Sequence, residues 1–117
     1  MIALKRVYEP AASDDGSRIL VERLWPRGLS KERAHIDQWL KELAPSDALR
    51  RWYGHDPAHW SEFRTRYLEE LATPEAQAAL RALAEQARHG KITLVFAARS
   101  PELSNAAILA ELLSAMS

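Results

Sequence analysis

The segment 22–31 holds the densest group of side chains whose types and spacing could do chemistry. It reads Glu22-Arg23-Leu24-Trp25-Pro26-Arg27-Gly28-Leu29-Ser30-Lys31. Its three cations are suited to a phosphate or a carboxylate, and Gly28 would let the backbone approach such an anion closely. Trp25 offers a flat face on which a ring could stack. The segment therefore predicts a site for a small anion, formed by Arg23, Trp25, Arg27, Gly28 and Lys31.

Two other strand ends could supply residues to the same site. Arg6 and Tyr8 fall on one face at the end of a predicted first strand. Arg99, followed by Ser100, comes directly after the predicted strand 91–98. Because the carboxyl ends of parallel strands meet at one edge of a sheet, we expect these residues to share a rim with segment 22–31.

Glu22 and His55 are the residues that could act as a general acid or base. A histidine titrates near neutrality, and a glutamate beside arginines can serve as a base. His55 and His59 have the spacing of a metal-binding pair on a helix, but Asp56-Pro57 predicts a helix start between them. No third ligand is indicated, so we predict no metal. No cofactor-binding loop occurs either, so we predict no cofactor.

A purely structural interpretation of these residues stays open. Arg23 and Glu22 would then form ion pairs, and Trp25 would pack in the core. Arg27 and the remaining cations would simply be solvated. His55 would be a corner histidine that bonds to the backbone.

The elements that must position these residues follow from periodicity and from end signals. Strands are predicted near the N-terminus, over 18–24 and over 91–98, because these stretches are apolar and rich in branched residues. Helix signals fill the middle, and a last helix is predicted over 104–116. The predicted helices are indicated by the apolar spacing of Ile36, Trp39, Leu40 and Leu43, by the caps Ser46, Asp56 and Thr73, and by the stops Gly54 and Gly90.

This order of elements predicts one α/β domain over residues 1–117. We expect a small Rossmann-like sandwich with a mainly parallel short sheet covered by helices. The chain has 117 residues, which is enough for one core without metal or disulfide support.

Composition excludes several classes of protein. Sixteen Lys and Arg balance sixteen Asp and Glu, so net charge does not indicate nucleic-acid binding. The absence of cysteine excludes disulfides and thiolate chemistry. There is no bilayer-length apolar run and no signal peptide, so we predict no membrane and a cytoplasmic location. An alanine-rich helix face at residues 78–82 fits either a monomer or a homodimer.

Four blocks of the sequence resemble the YeaO-like family of the superfamily called domain of unknown function 488. The blocks are Arg6-Val7-Tyr8, Val21 to Lys31, Trp39 to Ser46, and Trp52-Tyr53-Gly54-His55-Asp56-Pro57. The resemblance implies a small stand-alone bacterial α/β domain of Rossmann-like topology without an established function. Other branches, for which an enzymatic role on nucleotides or nucleic acids has been suggested, carry an acidic Asp and a serine where this chain has Glu22 and Gly28. Family members also often show His-Asn-x-Ala at the last helix. Here the stretch is Leu103-Ser104-Asn105-Ala106, which we expect to remove a polar pair near the site.

Three functions remain open at this point. The leading hypothesis is a domain that binds a small anionic ligand, a nucleotide or a phosphorylated metabolite. The first alternative is an enzyme that acts on a nucleotide or a glycosidic bond in the same pocket. The second is a module that interacts with protein or nucleic acid through its basic rim.

Overall fold

Four short strands form one parallel sheet in the computed structural model, which describes residues 1–116. The strands are β1 (Ile2–Arg6), β2 (Ser17–Leu20), β3 (Gln38–Trp39) and β4 (Ile92–Phe96). The helices are α1 (Lys31–Ala34), α2 (Asp47–Tyr53), α3 (Trp60–Glu70), α4 (Pro74–His89) and α5 (Asn105–Met116). The sheet order is β1-β4-β2-β3, and all three pairings are parallel. The predicted small α/β fold with a parallel sheet is therefore confirmed.

The core lies on both faces of β4, all five residues of which are buried. Leu94 and Phe96 belong to the larger apolar cluster, which α3, α4 and α5 cover. Val95 belongs to a smaller cluster on the other face, because alternate residues of a strand point to opposite sides. Trp25 and Trp39 pack against this smaller cluster. One face of the sheet is thus covered by helices and the other by side chains that include two tryptophans.

Several helix ends beyond residue 45 lie where the sequence predicts them. The hydroxyl oxygens of Ser46 and Thr73 accept hydrogen bonds from backbone N–H groups in the first turns of α2 and α4. Asp56 caps a short 3₁₀ turn, Pro57–His59, that leads into α3. Gly54 ends α2 in the left-handed conformation, with φ of 54°.

The predicted helix through residues 36–43 is wrong. Helix α1 ends at Ala34, before this stretch, and the chain then forms β3 and a 3₁₀ turn, Lys41–Leu43. The competing interactions come from β2: Asp37 accepts a hydrogen bond from the Arg18 N–H at 2.7 Å, and Trp39 donates its indole N–H to the Glu22 carbonyl at 2.6 Å. The apolar residues at helical spacing are divided between the two core clusters instead of lying along one helix face. Strand β2 ends at Leu20, so it is shorter than the predicted strand over 18–24.

A buried ion cluster lies at the amino end of β2. The Asp15 carboxylate accepts hydrogen bonds from Arg18 Nη1 at 2.7 Å and from Lys5 Nζ at 3.0 Å. It also accepts one from the Ala12 N–H at 3.0 Å, and these donors hold the pKa of Asp15 down to about 2. Gly16 follows with φ of 66°, and a side chain there would collide with the Lys91 carbonyl. This end of the sheet is therefore fixed by structure-forming contacts.

Helices long and apolar enough to cross a bilayer do not occur within residues 1–116.

Candidate functional site

Two adjoining cavities open where β1, β2 and β4 end. The inner cavity has a volume of about 180 Å³ and the outer cavity about 650 Å³. Five residues line both and so join them into one cleft: Tyr53, His55, Ala97, Ala98 and Leu103. The cleft lies at the carboxyl ends of parallel strands, the usual position of ligand sites in open α/β sheets.

The inner cavity contains a carboxyl group among both apolar and polar side chains. Glu22 lines it beside Phe63 and Leu103. Burial raises the pKa of Glu22, although the Ala97 N–H and the Arg50 guanidinium oppose that effect. The Ala97 N–H lies 3.5 Å from Glu22 Oε2, at the limit for a hydrogen bond. Glu22 is thus a poorly paired carboxyl group next to an open space.

Two polar side chains in the wall of the inner cavity hold backbone carbonyl groups. Arg23 donates from Nε to the Pro45 carbonyl at 3.0 Å and from Nη2 to the Ala44 carbonyl at 3.1 Å. Asn105, at the start of α5, donates from Nδ2 to the Val21 carbonyl at 2.8 Å. Arg23 therefore joins segment 22–31 to the turn before α2, a role that the sequence prediction of an anion ligand did not include.

The outer cavity is lined by cations without a lining carboxylate among residues 1–116. Arg6, Arg99 and His55 contribute the ionisable nitrogen groups, and Ser100 lies beside them. Arg6 donates from Nε to the Ala98 carbonyl at 2.9 Å, and its guanidinium carbon lies 5.6 Å from the Tyr8 ring centroid. The predicted meeting of the ends of the first and last strands, β1 and β4, thus occurs in this cavity.

His55 lies at the junction of the two cavities in an unusual backbone conformation. Its φ is 58°, a left-handed value that costs a non-glycine residue free energy. Tyr53, two residues before His55, donates its hydroxyl to the Leu103 carbonyl at 2.9 Å and so fixes the corner next to the end of the sheet. His59 points elsewhere, because its ring stacks on Trp52 with centroids 4.4 Å apart. The two histidines therefore have separate environments.

Four residues predicted to bind the anion lie outside both cavities. Trp25 packs edge-on against Trp39, with centroids 5.5 Å apart, and donates its indole N–H to the Leu29 carbonyl. Arg27 and Lys31 are exposed. Gly28 has φ of 72° and open space around its Cα, so it serves the turn. A ligand-binding role for these four stays a prediction, separate from the cleft.

The sequence analysis missed several residues of the inner cavity. Arg50 and Tyr53 lie on α2. The one sequence feature that could have indicated their place at the site was their closeness in sequence to His55. The stretch at 103–106, expected to lack the family's polar pair, places two polar side chains at the site, because Ser104 and Asn105 are both buried and both line the inner cavity. Asn105, the single asparagine in the sequence, stands at the start of the last predicted helix, and this position was the available signal that it could belong to the site.

Comparison with known proteins identifies the family. The family model described as the inactive DUF488-N3 subclade matches residues 1–116. The chain belongs to the DUF488 family. It is 40% identical over 115 residues to the uncharacterised protein YeaO of Escherichia coli K12, covering 98% of both chains. It is also 43% identical over 113 residues to uncharacterised proteins of Mycobacterium tuberculosis and Mycobacterium bovis, covering 97% of this chain and 93% of theirs.

These relatives show a YeaO-like DUF488 protein along nearly the whole chain. No solved structure matches it significantly. The blocks that carry the resemblance include Glu22, Arg23 and the Gly54-His55 corner, which all lie at the cleft. These blocks therefore supply one part of the cleft, and the chain from Ala97 to Asn105 supplies another.

Proposed function

We propose that this DUF488 protein binds a small anionic ligand, a nucleotide or a phosphorylated metabolite, in the cleft at the strand ends. The observation that carries the proposal is the charge of the outer cavity. Arg6, Arg99 and His55 line it, and no carboxylate among the described residues does. Cations that converge on one concave space attract a phosphate or carboxylate.

The pairing of the two arginines supports this function further. Arg99 takes part in no hydrogen bond or ion pair within residues 1–116, and Arg6 is held in place through a single Nε contact with Ala98. By contrast, Asp47 pairs with Arg50 and Arg51 on the surface of α2. The guanidinium groups at the outer cavity are therefore available to a ligand, whereas those of Arg50 and Arg51 are paired with a carboxylate.

The description of the matching subclade as inactive agrees with binding rather than turnover. Glu22 and His55 nevertheless line one cavity, the arrangement that an acid–base reaction would use. Catalysis on the ligand is therefore the second candidate. In that case Glu22→Gln or His55→Ala would lower turnover far more than it lowers ligand affinity.

A thermal-shift titration tests the binding function. Inorganic phosphate, ribose 5-phosphate and nucleoside monophosphates are added to the native protein and to Arg99→Ala. A ligand specific for the native state adds about 2.7 kcal/mol of stability at about 100 times its Kd, a shift of several degrees. We expect at least one of these ligands to raise the melting temperature of the native protein. The apparent affinity taken from the titration should be at least tenfold weaker in Arg99→Ala.

Arg27→Ala is the matched control, because Arg27 is an exposed arginine outside the cleft. Its titrations should match those of the native protein. If Arg27→Ala weakened binding and Arg99→Ala did not, the site would be the predicted 22–31 anion site instead of the cleft. If none of these anions bound, the proposed function would be wrong.

A further inference from the structure

We propose that the inner cavity selects the other end of the ligand, as a single planar six-membered ring with an amidine edge, meaning a ring nitrogen beside an exocyclic amino group. Glu22 would pair with that edge while the anionic group stays in the outer cavity. This inference rests on the proposed function, since it assumes that an anion is held by Arg6 and Arg99.

The size of the inner cavity points to one ring. Its volume is about 180 Å³. An engineered apolar cavity of about 150 Å³ is known to hold benzene, so this cavity suits a single ring. Tyr53 and Phe63, whose rings stack with centroids 4.2 Å apart, both line it and give it an aromatic wall. A flat ring is the shape that such a wall favours.

The chemistry of the edge follows from Glu22. Most polar side chains that line this cavity already make a short hydrogen bond within the protein. The Glu22 carboxyl group does not, because its contact with the Ala97 N–H is 3.5 Å long. The nearby amide of Asn105 and hydroxyl of Tyr53 already donate to backbone carbonyls. A ligand entering here therefore meets a carboxyl group that needs partners, and buried polar groups left unpaired cost free energy.

A carboxyl group and an amidine edge complement each other in either proton arrangement. A protonated Glu22 donates its O–H to the ring nitrogen and accepts from the amino group. An ionised Glu22 accepts from both once the ring nitrogen carries the same proton. An imide edge, with one N–H beside a carbonyl, pairs only when the proton stays on Glu22. Either pair therefore needs one proton in the site. The ring nitrogen of an amidine is basic enough to take that proton and form a charge-assisted pair with an ionised Glu22, whereas the carbonyl oxygen of an imide is too weak a base to do so.

The two cavities together therefore describe one ligand. Its anionic group lies between Arg6 and Arg99, and its ring passes His55 into the inner cavity. The five residues common to both cavities place them side by side, so that one ligand would extend from one into the other. A pyrimidine nucleotide with an amino group next to the ring nitrogen has this form.

The test compares nucleotides that differ at that edge. Calorimetric titrations measure the affinity of the native protein for cytidine, uridine and adenosine 5′-monophosphate and for ribose 5-phosphate. We expect the cytidine nucleotide to bind at least about tenfold more tightly than the uridine nucleotide, since a good bidentate pair is worth about 1–3 kcal/mol. Ribose 5-phosphate should bind most weakly but measurably.

Glu22→Gln provides the decisive variant, because a carboxamide can turn to match either edge. The preference for cytidine over uridine should fall to nearly one in Glu22→Gln, and it should persist in the control Glu42→Gln, an exposed glutamate. Circular dichroism confirms that each variant is folded.

The outcomes separate the two proposals. Equal affinity of the native protein for the cytidine and uridine nucleotides, with ribose 5-phosphate still bound, would overturn this inference and leave the anion site standing. Tighter binding of the adenosine nucleotide than of the cytidine nucleotide would overturn the assignment of a single ring. Failure of all four to bind would overturn the proposed function itself.

Discussion

The Asn105 side chain donates a hydrogen bond from Nδ2 to the Val21 carbonyl at 2.8 Å. This contact joins the first residue of α5 to the backbone just beyond β2. The two residues are 84 positions apart in the sequence, and the hydrogen bond between them is buried. Because Glu22 follows Val21 directly, the position of the Glu22 carboxyl group depends on this amide.

Asn105→Ala should therefore destabilise the protein by about 1–3 kcal/mol. The replacement leaves the Val21 carbonyl buried without its donor, and an unpaired buried acceptor costs about that much. Urea unfolding at pH 7 measures the effect. Glu111→Gln, an exposed change on the same helix, serves as the control and should stay within about 0.5 kcal/mol of the native protein. Equal stability of Asn105→Ala and the native chain would contradict this role.

Glu22→Gln should stabilise the unliganded protein at neutral pH and have little effect at pH 4. Burial raises the pKa of Glu22 above its ordinary value of 4.5, so the folded state favours the protonated form. The native protein then loses stability as pH rises from about 4.5 through the raised pKa, a loss that a neutral glutamine does not suffer. Melting temperatures between pH 4 and pH 8 should show a difference that grows with pH. If the difference in melting temperature between variant and native protein stayed constant across that range, burial would not raise the pKa of Glu22.

Asp15→Asn should cost about 3 kcal/mol at pH 7, because it leaves the buried Arg18 guanidinium without its counter-charge. The folded pKa of Asp15 is about 2, below its ordinary 3.8, so the native carboxylate stabilises the fold above pH 4 and this contribution is lost as pH falls toward 2. The stability gap between native and variant should therefore narrow on acidification. Asp14→Asn, an exposed neighbour, should show no such gap.

His55→Gly should be more stable than His55→Ala by about 1 kcal/mol. The backbone at residue 55 is left-handed, with φ of 58°, and glycine adopts that conformation without the steric cost that alanine bears. Both variants lack the imidazole, so the comparison isolates the backbone. Unfolding free energies in urea decide it, and an alanine variant as stable as the glycine variant would show that the corner relaxes.

Local signals in the sequence predicted those elements whose ends are fixed by short-range chemistry. Ser46, Gly54 and Thr73 satisfy backbone groups within their own turns, so their identity is enough to mark the helix ends. Strand β4 was predictable for a different reason, since a continuous apolar run is typical of a strand buried on both faces. Residues 36–43 were not, because their conformation depends on contacts with β2, such as Asp37 with Arg18, that no periodicity reveals.

The candidate site was predictable only as a location. Parallel strands bring Arg6, Glu22 and Arg99 toward one edge, and the cleft lies there. Which cations face the cleft depends on how the chain leaves β2. After that strand the backbone carries Arg27 to the surface while Trp25 turns toward Trp39. Residue type alone cannot separate an arginine that lines a cavity from one that is solvated.

Strand β4 has the central place in the sheet although it is the last strand of the chain. Ile2 pairs with Ile92, so β1 has no hydrogen-bonded neighbour until β4 is present. During synthesis the ribosome releases the chain from its N-terminus. β1 must wait while the residues of α2, α3 and α4 are made, and until then β2 can pair only with the two-residue strand β3. The sheet is therefore completed after the residues of these helices have been made, and the late pairing slows folding. The cleft is completed last, because Ala97 and Asn105, which line it, are synthesised only after β4.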